Sequence, residues 1–283
     1  MNNVEFENVN NTVLCDAIYT KAGGNVEFDN VTFKNILYKG AFIRSEDSDI
    51  VLNKMIVENY NICNDKDDNK CITKQMKLVN DPETVFLRIE GENEVSIINS
   101  SLNNFDLNTM FIYGSNSSIS IDNLNIENGH FLNGAIHYAE PNKVGNISIK
   151  NSKFKNVKSE KGPVVRIDNL SKTYGTKISF NNVTLQETEA TDRGGVVFST
   201  SKYANTILSF DNCKFIDTKA RYGSICFAYT IESEPYFSNK NDIMSINSFA
   251  TNPIKLEIDS NSVKNFTILS GDTIHDNMKC NYH

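Results

Sequence analysis

Val26-Glu27-Phe28-Asp29-Asn30 runs directly into Val31-Thr32-Phe33-Lys34-Asn35, and this stretch decides the fold of the 283-residue chain. Apolar and polar residues alternate in both halves, which predicts strands with one buried face. Asn, which ends each half, tolerates the left-handed backbone of a tight turn. The stretch therefore predicts two short strands around a sharp Asn corner.

The apolar-x-apolar-x-Asn motif recurs along the chain. Its Asn residues are Asn8, Asn30, Asn53 (in a degenerate copy), Asn99, Asn123, Asn151, Asn182 and Asn212. Gly opens a further short strand after several copies, as in Gly40-Ala41-Phe42-Ile43 and Gly134-Ala135-Ile136. A constant motif at irregular spacing is typical of a solenoid in which the loops vary and the strands stay in register. We predict an all-β fold, a right-handed parallel β-helix of about eight coils of 22 to 31 residues.

The motif Asn residues are expected to form a ladder along the rod, in one of two orientations. An inward Asn would bond the Asn of the next coil and satisfy backbone groups that the corner leaves unpaired. An outward Asn would be a surface turn residue, which its turn propensity alone explains. Because the position recurs in phase with apolar residues, the sequence favours the inward ladder.

The β-helix is predicted to span residues 1–233. The gap of 46 residues between Asn53 and Asn99 indicates one coil plus an inserted loop at about 60–83. The repeat fades in residues 234–283, which are predicted to form a C-terminal cap or the start of a β-sandwich. Because the chain begins inside a repeat, without the basic and apolar regions of a signal peptide, we expect a fragment or a missing first exon.

Composition limits the classes of partner. Acidic residues outnumber basic ones by 35 to 28, and no basic stripe is present, so nucleic acid is not expected as a partner. No run of about 18 apolar residues occurs, so we predict no membrane-spanning helix in this segment. The even count of six Cys suits a secreted chain.

Cys63 and Cys71 bracket the sharpest local feature, an acidic stretch within the insertion. In an oxidising compartment these two Cys can close a nine-residue loop. The candidate calcium ligands inside it are Asp65, Asp67 and Asn69. They alternate as in an EF-hand loop, but Lys70 stands where that loop requires Gly. The segment can therefore be a calcium site or a solvated loop closed by a disulfide. Because Lys70 departs from the EF-hand pattern, the sequence favours the solvated loop.

Cys213 and Cys226 take positions that hold Val in other coils. They are interpreted as small core residues, with a disulfide between them as the alternative. The four His are scattered along the chain, so neither a zinc site nor a cofactor is predicted.

N-glycosylation sequons are frequent in this Asn-rich chain. The motif Asn residues that belong to sequons are excluded if they point inward, which leaves loop sites as the candidates for glycosylation. Those sites are Asn116, Asn146 and Asn169.

The coils resemble those of pectin-lyase-like right-handed β-helices. The stretch Phe28–Asn35 and Gly134-Ala135-Ile136 are similar to autotransporter-style and polymorphic-outer-membrane-protein-type repeats. Asn-rich ectodomains of anaerobic gut fungi and protists, some labelled scaffoldins, are also similar, including the tail from Ala250 to Asp272. The resemblance covers nearly the whole chain, but its motifs are scaffold motifs, which imply fold more strongly than function.

The resemblance also implies where catalytic motifs would stand. Polygalacturonases combine adjacent Asp pairs with His-Gly and Arg-Ile-Lys on one sheet. Here the only adjacent Asp pair is Asp67-Asp68, and Arg166-Ile167-Asp168 is a partial match. No catalytic or cofactor-binding residue is therefore predicted.

The sequence favours a non-catalytic extracellular or cell-surface module that offers flat faces and variable loops to a polysaccharide or a cell-surface protein. A pectin-lyase-like polysaccharide lyase or glycoside hydrolase is the first alternative. A spacer ectodomain of a membrane-anchored receptor or adhesin is the second.

Overall fold

The chain folds, in a computed structural model, as a parallel β-solenoid of about seven turns. The structure describes residues 1–11, 14, 16–62, 80–113, 116–139, 145–173, 175–252, 256–258 and 280–282. Equivalent strands of successive coils pair in parallel along the whole described solenoid. The predicted all-β solenoid class is thereby confirmed.

Each coil has four sides, which the coil at residues 26–46 illustrates. The first side is 26–29 and the second is 31–34, with Asn30 as the first corner between them. Asn35 forms the second corner, which leads to the third side at 36–38. Gly40, at φ 95°, then opens the fourth side at Ala41–Glu46. The coil therefore has two left-handed Asn corners, besides the turn at Gly40, where the sequence motif indicated one corner and a polar turn.

The strands group by the sides that they form. Four long strands pass through one or both corners: β4 (Val26–Tyr38), β9 (Glu94–Leu107), β11 (Ser117–Phe131) and β14 (Lys153–Lys161). The first side adds β6 (Ile50–Asn53), β13 (Gly145–Lys150), β16 (Lys177–Asn181), β20 (Leu208–Asp211) and β24 (Tyr236–Phe237). The second side adds β1 (Asn2–Glu7), β7 (Ile56–Tyr60), β17 (Thr184–Gln186) and β21 (Lys214–Ile216), and the third adds β2 (Asn10–Asn11), β18 (Glu189–Arg193) and β22 (Lys219–Tyr222).

The fourth side is built from two sheets that follow one another along the rod. The earlier sheet holds β3 (Ile18–Lys21), β5 (Ala41–Glu46), β8 (Val85–Glu90) and β10 (Thr109–Tyr113). The later one holds β12 (Ile136–Tyr138), β15 (Val165–Ile167), β19 (Val197–Ser199), β23 (Cys226–Ala228) and β25 (Phe249–Thr251). Two one-turn helices, α1 (Ala204–Ile207) and α2 (Lys240–Ile243), and a 3₁₀ turn (Ile231–Ser233) lie in the loops of the last coils.

Apolar side chains stack in columns inside the solenoid, because in-register strands place the same coil position above itself. On the first side, the Phe210 ring stacks on Phe180 at 4.7 Å and on Phe237 at 4.9 Å between centroids. All three rings are buried. This burial is the dominant stabilising term of a fold whose coils contact only their neighbours.

The two corners carry sixteen residues with positive φ, in eight pairs five residues apart. First-corner residues are Asn3, Asn30, Lys54, Asn99, Asn123, Asn151, Asn182 and Asn212, and second-corner residues are Asn8, Asn35, Asn59, Asn104, Asn128, Asn156, Glu187 and Asp217. Thirteen of these sixteen are Asn. Asn is the side chain best suited to the left-handed region after Gly, so corner geometry accounts for much of the Asn excess.

The prediction that the Asn ladder points inward is wrong. Of the predicted ladder residues, Asn53 is half-buried, and the others are exposed: Asn8, Asn30, Asn99, Asn123, Asn151, Asn182 and Asn212. A corner residue sits on the convex side of the bend, so its side chain must leave the core. The backbone at some corners is satisfied instead by the next, inward residue: Ser152 Oγ accepts from Leu124 N and donates to Lys150 O.

Two ladder residues were also expected in the wrong register. Asn8 belongs to the second corner, because Val4 pairs with Val31 and the Asn8 side chain bonds Asn35. Asn53 precedes the left-handed residue, which is Lys54. Asn8 was misplaced because the second side of a coil carries the same apolar-x-apolar-x-Asn pattern as the first, as Val31–Asn35 shows, and Asn53 was misplaced because Lys takes the corner of its coil.

The strand stacking continues beyond residue 233. Strand β24 pairs with β20 on the first side, and β25 pairs with β23 on the fourth. Strands β26 (Leu256–Ile258) and β27 (Cys280–Tyr282) pair with each other in antiparallel fashion. The assignment of 234–283 as a cap or a truncated β domain stays a prediction.

Candidate functional site

A column of five serines runs along the outer surface of the first side. Its members, in consecutive coils, are Ser96, Ser120, Ser148, Ser179 and Ser209. Each serine is paired in register with the next and is at least partly exposed. At the usual strand spacing of about 4.8 Å, the five hydroxyl groups extend over about 19 Å. We call this row the serine column.

Sequence reasoning missed the serine column, although its signal is present. Each Ser lies between the two apolar residues of the motif, as in Ile119-Ser120-Ile121 and Ile147-Ser148-Ile149. The alternation alone places this residue on the outer surface. Its alignment with the Ser of the next coil depends on the fold, because loops of different lengths separate the copies.

Side-chain amides connect the coils at the first corner, beside the serine column. In each bond Nδ2 of the later coil donates to Oδ1 of the earlier coil: Asn30 to Asn3 (2.6 Å), Asn53 to Asp29 (2.7 Å), Asn99 to Asn53 (3.4 Å), Asn123 to Asn99 (2.9 Å), Asn151 to Asp122 (2.9 Å) and Asn182 to Asn151 (2.8 Å). The Asn side chains thus do form ladder bonds between coils, but on the outside of the rod.

The second corner repeats this arrangement. Its bonds join Asn35 to Asn8 (3.2 Å), Asn59 to Asn35 (2.9 Å), Asn104 to Asn59 (2.6 Å), Asn128 to Asn103 (3.0 Å) and Asn156 to Asn128 (2.9 Å). Both rows present amide groups whose orientation is fixed by their neighbours. The first and second sides therefore form flat surfaces with rigid polar edges.

On the fourth side, arginines and carboxylates form an ion-pair network in the early coils. Arg44 donates to Glu90 Oε2 through Nε (3.1 Å) and Nη2 (2.6 Å), and Arg88 donates to Glu90 Oε1 through Nε (2.7 Å). Burial by itself raises the pKa of the Glu90 carboxyl, but the hydrogen bonds from Arg44 and Arg88 outweigh it and hold the pKa below its ordinary value. Hydrogen bonds from Tyr19 and Lys21 likewise lower the pKa of Glu46.

A second polar cluster on the fourth side joins two adjacent coils. His137 Nε2 lies 2.8 Å from Asp168 Oδ2, and Arg166 Nε donates to Asp168 Oδ1 at 3.0 Å. Arg166 Nη1 also donates to Asn133 Oδ1 at 2.9 Å. Burial alone would raise the pKa of Asp168, but the bonds from His137 and Arg166 lower it below its ordinary value. The partial match at Arg166-Ile167-Asp168 is therefore an intramolecular ion pair.

The carboxyl groups of these clusters are held in their ionised form. The described carboxyl groups with a resolved shift are Glu46, Glu90 and Asp168, and the pKa of each is lowered. The general acid of a glycosidase needs a raised pKa so that it holds a proton near neutral pH. These three carboxylates stay ionised and hydrogen-bonded, as fixed acceptors.

A cleft of about 270 Å³ opens at the second corner, where Gly129 takes the place that Phe105 and Val157 hold in the neighbouring coils. Phe105 and Ile62 give it an apolar wall. His130 Nδ1 lies 2.8 Å from Asp106 Oδ1, and Lys158 reaches Glu189 at 3.0 Å. Its polar groups, like those of the fourth side, are largely engaged within the chain.

The alternative of a Cys213–Cys226 disulfide is wrong, because both residues are free and buried. Cys213 Sγ contacts the Asp211 carbonyl oxygen at 3.4 Å, in the inward position that follows the first corner. Burial raises the pKa of the Cys213 thiol to about 11 and that of Cys226 well above its ordinary value. Both thiols are protonated core residues, as the first interpretation had it.

The remaining predicted sites divide into exposed Asn residues and residues that lie outside the described ranges. Asn116, Asn146 and Asn169 are exposed, as a glycan would require, and their modification stays a prediction. The expectation that all three are loop residues is wrong for Asn146, which lies in β13 and accepts from Lys177 N at 3.1 Å. Outside the described residues lie the calcium candidates Asp65, Asp67 and Asn69 and the Cys63–Cys71 pair. The ladder Asn residues that belong to sequons were excluded as glycosylation sites on the assumption that they point inward. Because they point outward, that reason no longer applies.

Within the described ranges, no group of three or more His, Cys, Asp or Glu is placed to hold a metal ion. In the same part of the chain, no helix has the length and apolar character of a membrane span. Comparisons with protein-family models, with curated proteins and with solved structures found no match to this chain.

Proposed function

We propose that the chain is a non-catalytic β-solenoid module that acts outside the cell by binding an elongated partner, a polysaccharide or a protein, along its first side. The serine column is the observation that carries this proposal. It repeats one hydroxyl group in five consecutive coils, beside amides held in fixed orientation. A regular row of donors and acceptors on a rigid face is suited to a partner that itself repeats.

The electrostatics support the non-catalytic part of the proposal. Carboxylates with lowered pKa serve as acceptors but are poor general acids. The resemblance to pectin-lyase-like β-helices and to polymorphic-outer-membrane-protein-type surface repeats belongs to this proposal, and the parallel stacking agrees with it. The exposed sequon residues Asn116, Asn146 and Asn169 support an extracellular location.

Binding to a panel of soluble plant, fungal and bacterial polysaccharides, measured by retardation in affinity gels, tests the proposal. The variant Ser120→Ala/Ser148→Ala/Ser179→Ala removes the middle of the serine column. If each hydroxyl contributes about 0.5–1.5 kcal/mol to binding, the affinity should fall on the order of tenfold or more. The matched control Thr32→Ala/Ser101→Ala/Thr184→Ala removes hydroxyl groups from the second side and should bind normally.

Three results would count against the proposal. Equal losses in both triple variants would show that the first side is not the binding surface. No retardation by any polymer, and no capture of an elongated surface protein, would remove the binding function itself. Release of reducing or unsaturated ends from a bound polymer would overturn the non-catalytic assignment and favour an enzyme.

A further inference from the structure

The outer surface of the second side carries eight charged residues without an ion pair. They are Glu5, Glu7, Lys34, Glu58, Glu127, Lys153, Lys155 and Lys214. Among the ion pairs and side-chain hydrogen bonds of the described residues, none includes these side chains. Lys34 stands in register between Glu7 and Glu58 and pairs with neither. The charges of the fourth side, by contrast, are neutralised within the chain.

The unpaired charges are separated along the rod. In the first four coils the second side has Glu5, Glu7 and Glu58 against Lys34, a net charge of −2. In the last four coils it has Lys153, Lys155 and Lys214 against Glu127, a net charge of +2. One half of this flat surface is therefore acidic and the other is basic.

We infer that the second side is a self-association surface, on which two copies of the chain pack antiparallel about a two-fold axis that runs along the strands. This symmetry places the first coil of one copy against the eighth of the other, and the third against the sixth. Glu5 then faces Lys214 of the second copy, and Glu58 faces Lys155. An isologous contact makes each of these pairs twice.

The parallel two-fold arrangement is disfavoured by the same charges. If the two rods ran in the same direction, each coil would face its own equivalent. Glu5 would then stand against Glu7 of the second copy, and Lys153 against Lys155. Like charges at each end of the contact oppose this arrangement, so the charge pattern favours the antiparallel orientation.

The size of the surface places the contact among small interfaces. Four residues of strand by eight coils give about 500 Å² per copy, which is near the lower end for specific interfaces. Because the pairs lie at the surface, their attraction is screened by salt. The dimer should therefore be reversible, favoured at low ionic strength, and weakened on the order of tenfold in about 0.5 M salt.

Charge reversal followed by mixing tests this geometry. In the Glu58→Lys variant, both copies of the 58–155 pair become Lys against Lys, and in the Lys155→Glu variant both become Glu against Glu. Each purified variant should therefore be monomeric by sedimentation velocity at low salt. An equimolar mixture of the two should recover the dimer, because both cross-interface pairs are then restored. The double variant E58K/K155E should also dimerise, whereas Glu27→Lys, an exposed reversal on the first side, should leave wild-type dimerisation unchanged.

Several outcomes would overturn the inference. A wild-type chain that stays monomeric at high concentration and low salt removes the interface. If the single-reversal variants still dimerise, the contact lies on another surface. A mixture that stays monomeric contradicts the antiparallel pairing. Polysaccharide retardation is measured in a separate experiment. Absence of the dimer would therefore not contradict the proposed binding function, and absence of retardation would not contradict the dimer.

Discussion

At the scale of single residues, the fold depends on side chains that accept a left-handed backbone. Thirteen of the sixteen corner positions are Asn, and the exceptions are Lys54, Glu187 and Asp217. The sequence predicts the corners because Asn recurs, but it cannot give the direction of the Asn side chain. That direction follows from the bend itself, since the convex vertex of a turn faces solvent whichever residue occupies it.

Lys54 is the corner residue whose replacement should stabilise the protein. It adopts φ 52°, a region that Lys visits at a cost and that Asn tolerates better. Lys54→Asn should raise the free energy of unfolding by about 0.5–1 kcal/mol, measured by chemical denaturation. The reciprocal change Asn212→Lys, at a first corner with φ 51° whose side chain takes no part in the ladder bonds of the described residues, should lower it by a similar amount. Effects of the same sign in the two substitutions would contradict a role for backbone preference.

At the scale of strands, register decides which side chains meet. Phe105 and Gly129 are opposite each other in β9 and β11, and the Phe105 ring fills the space that a side chain at position 129 would need. A Cβ added to Gly129 would lie 2.0 Å from the ring. The sequence shows a Gly in a strand pattern, but only the paired structure shows that a neighbouring aromatic ring requires it.

Gly129→Ala should therefore destabilise the protein by about 1–3 kcal/mol, because the buried Phe105 ring packs against Phe131 and has little room to move. Phe105→Leu supplies the control, since it removes the part of the ring that meets the new methyl group. In a double-mutant cycle measured by denaturation, Gly129→Ala should cost much less in the background of the Phe105→Leu substitution. Additive costs would mean that the two positions are not coupled.

At the scale of the whole molecule, the chain is a stack of coils that contact mainly their neighbours. Eight corner pairs bound seven full turns, which at about 4.8 Å per coil form a rod of about 34 Å between the first and last corners. Such an architecture has no single central core, so its stability is close to a sum over coils and their contacts. The irregular loops can differ in length because they lie outside this stack.

A coil should consequently be removable as a unit. Deleting residues 152–182 joins Asn151 to Val183 and keeps every later residue in phase, because the corners Asn151 and Asn182 are equivalent. The product should keep its β-sheet circular dichroism, unfold cooperatively, and be shorter by about 4.8 Å in small-angle scattering. Deleting 152–181 instead shifts the register by one residue and turns core side chains outward, so that variant should not fold. Loss of structure in both would contradict a modular stack.

The sequence by itself determined the fold class, the periodicity and the first corners at Asn30, Asn99, Asn123, Asn151, Asn182 and Asn212, because these follow from local alternation and from the backbone preference of Asn. It also determined that Cys213 fits a core position, since Val fills that position elsewhere. Only the tertiary structure decided that the Asn ladder faces outward, that Asn8 belongs to the second corner, and that five serines align in one column. Those features depend on the register between coils separated by loops of variable length, and no local pattern in the chain records how such loops close.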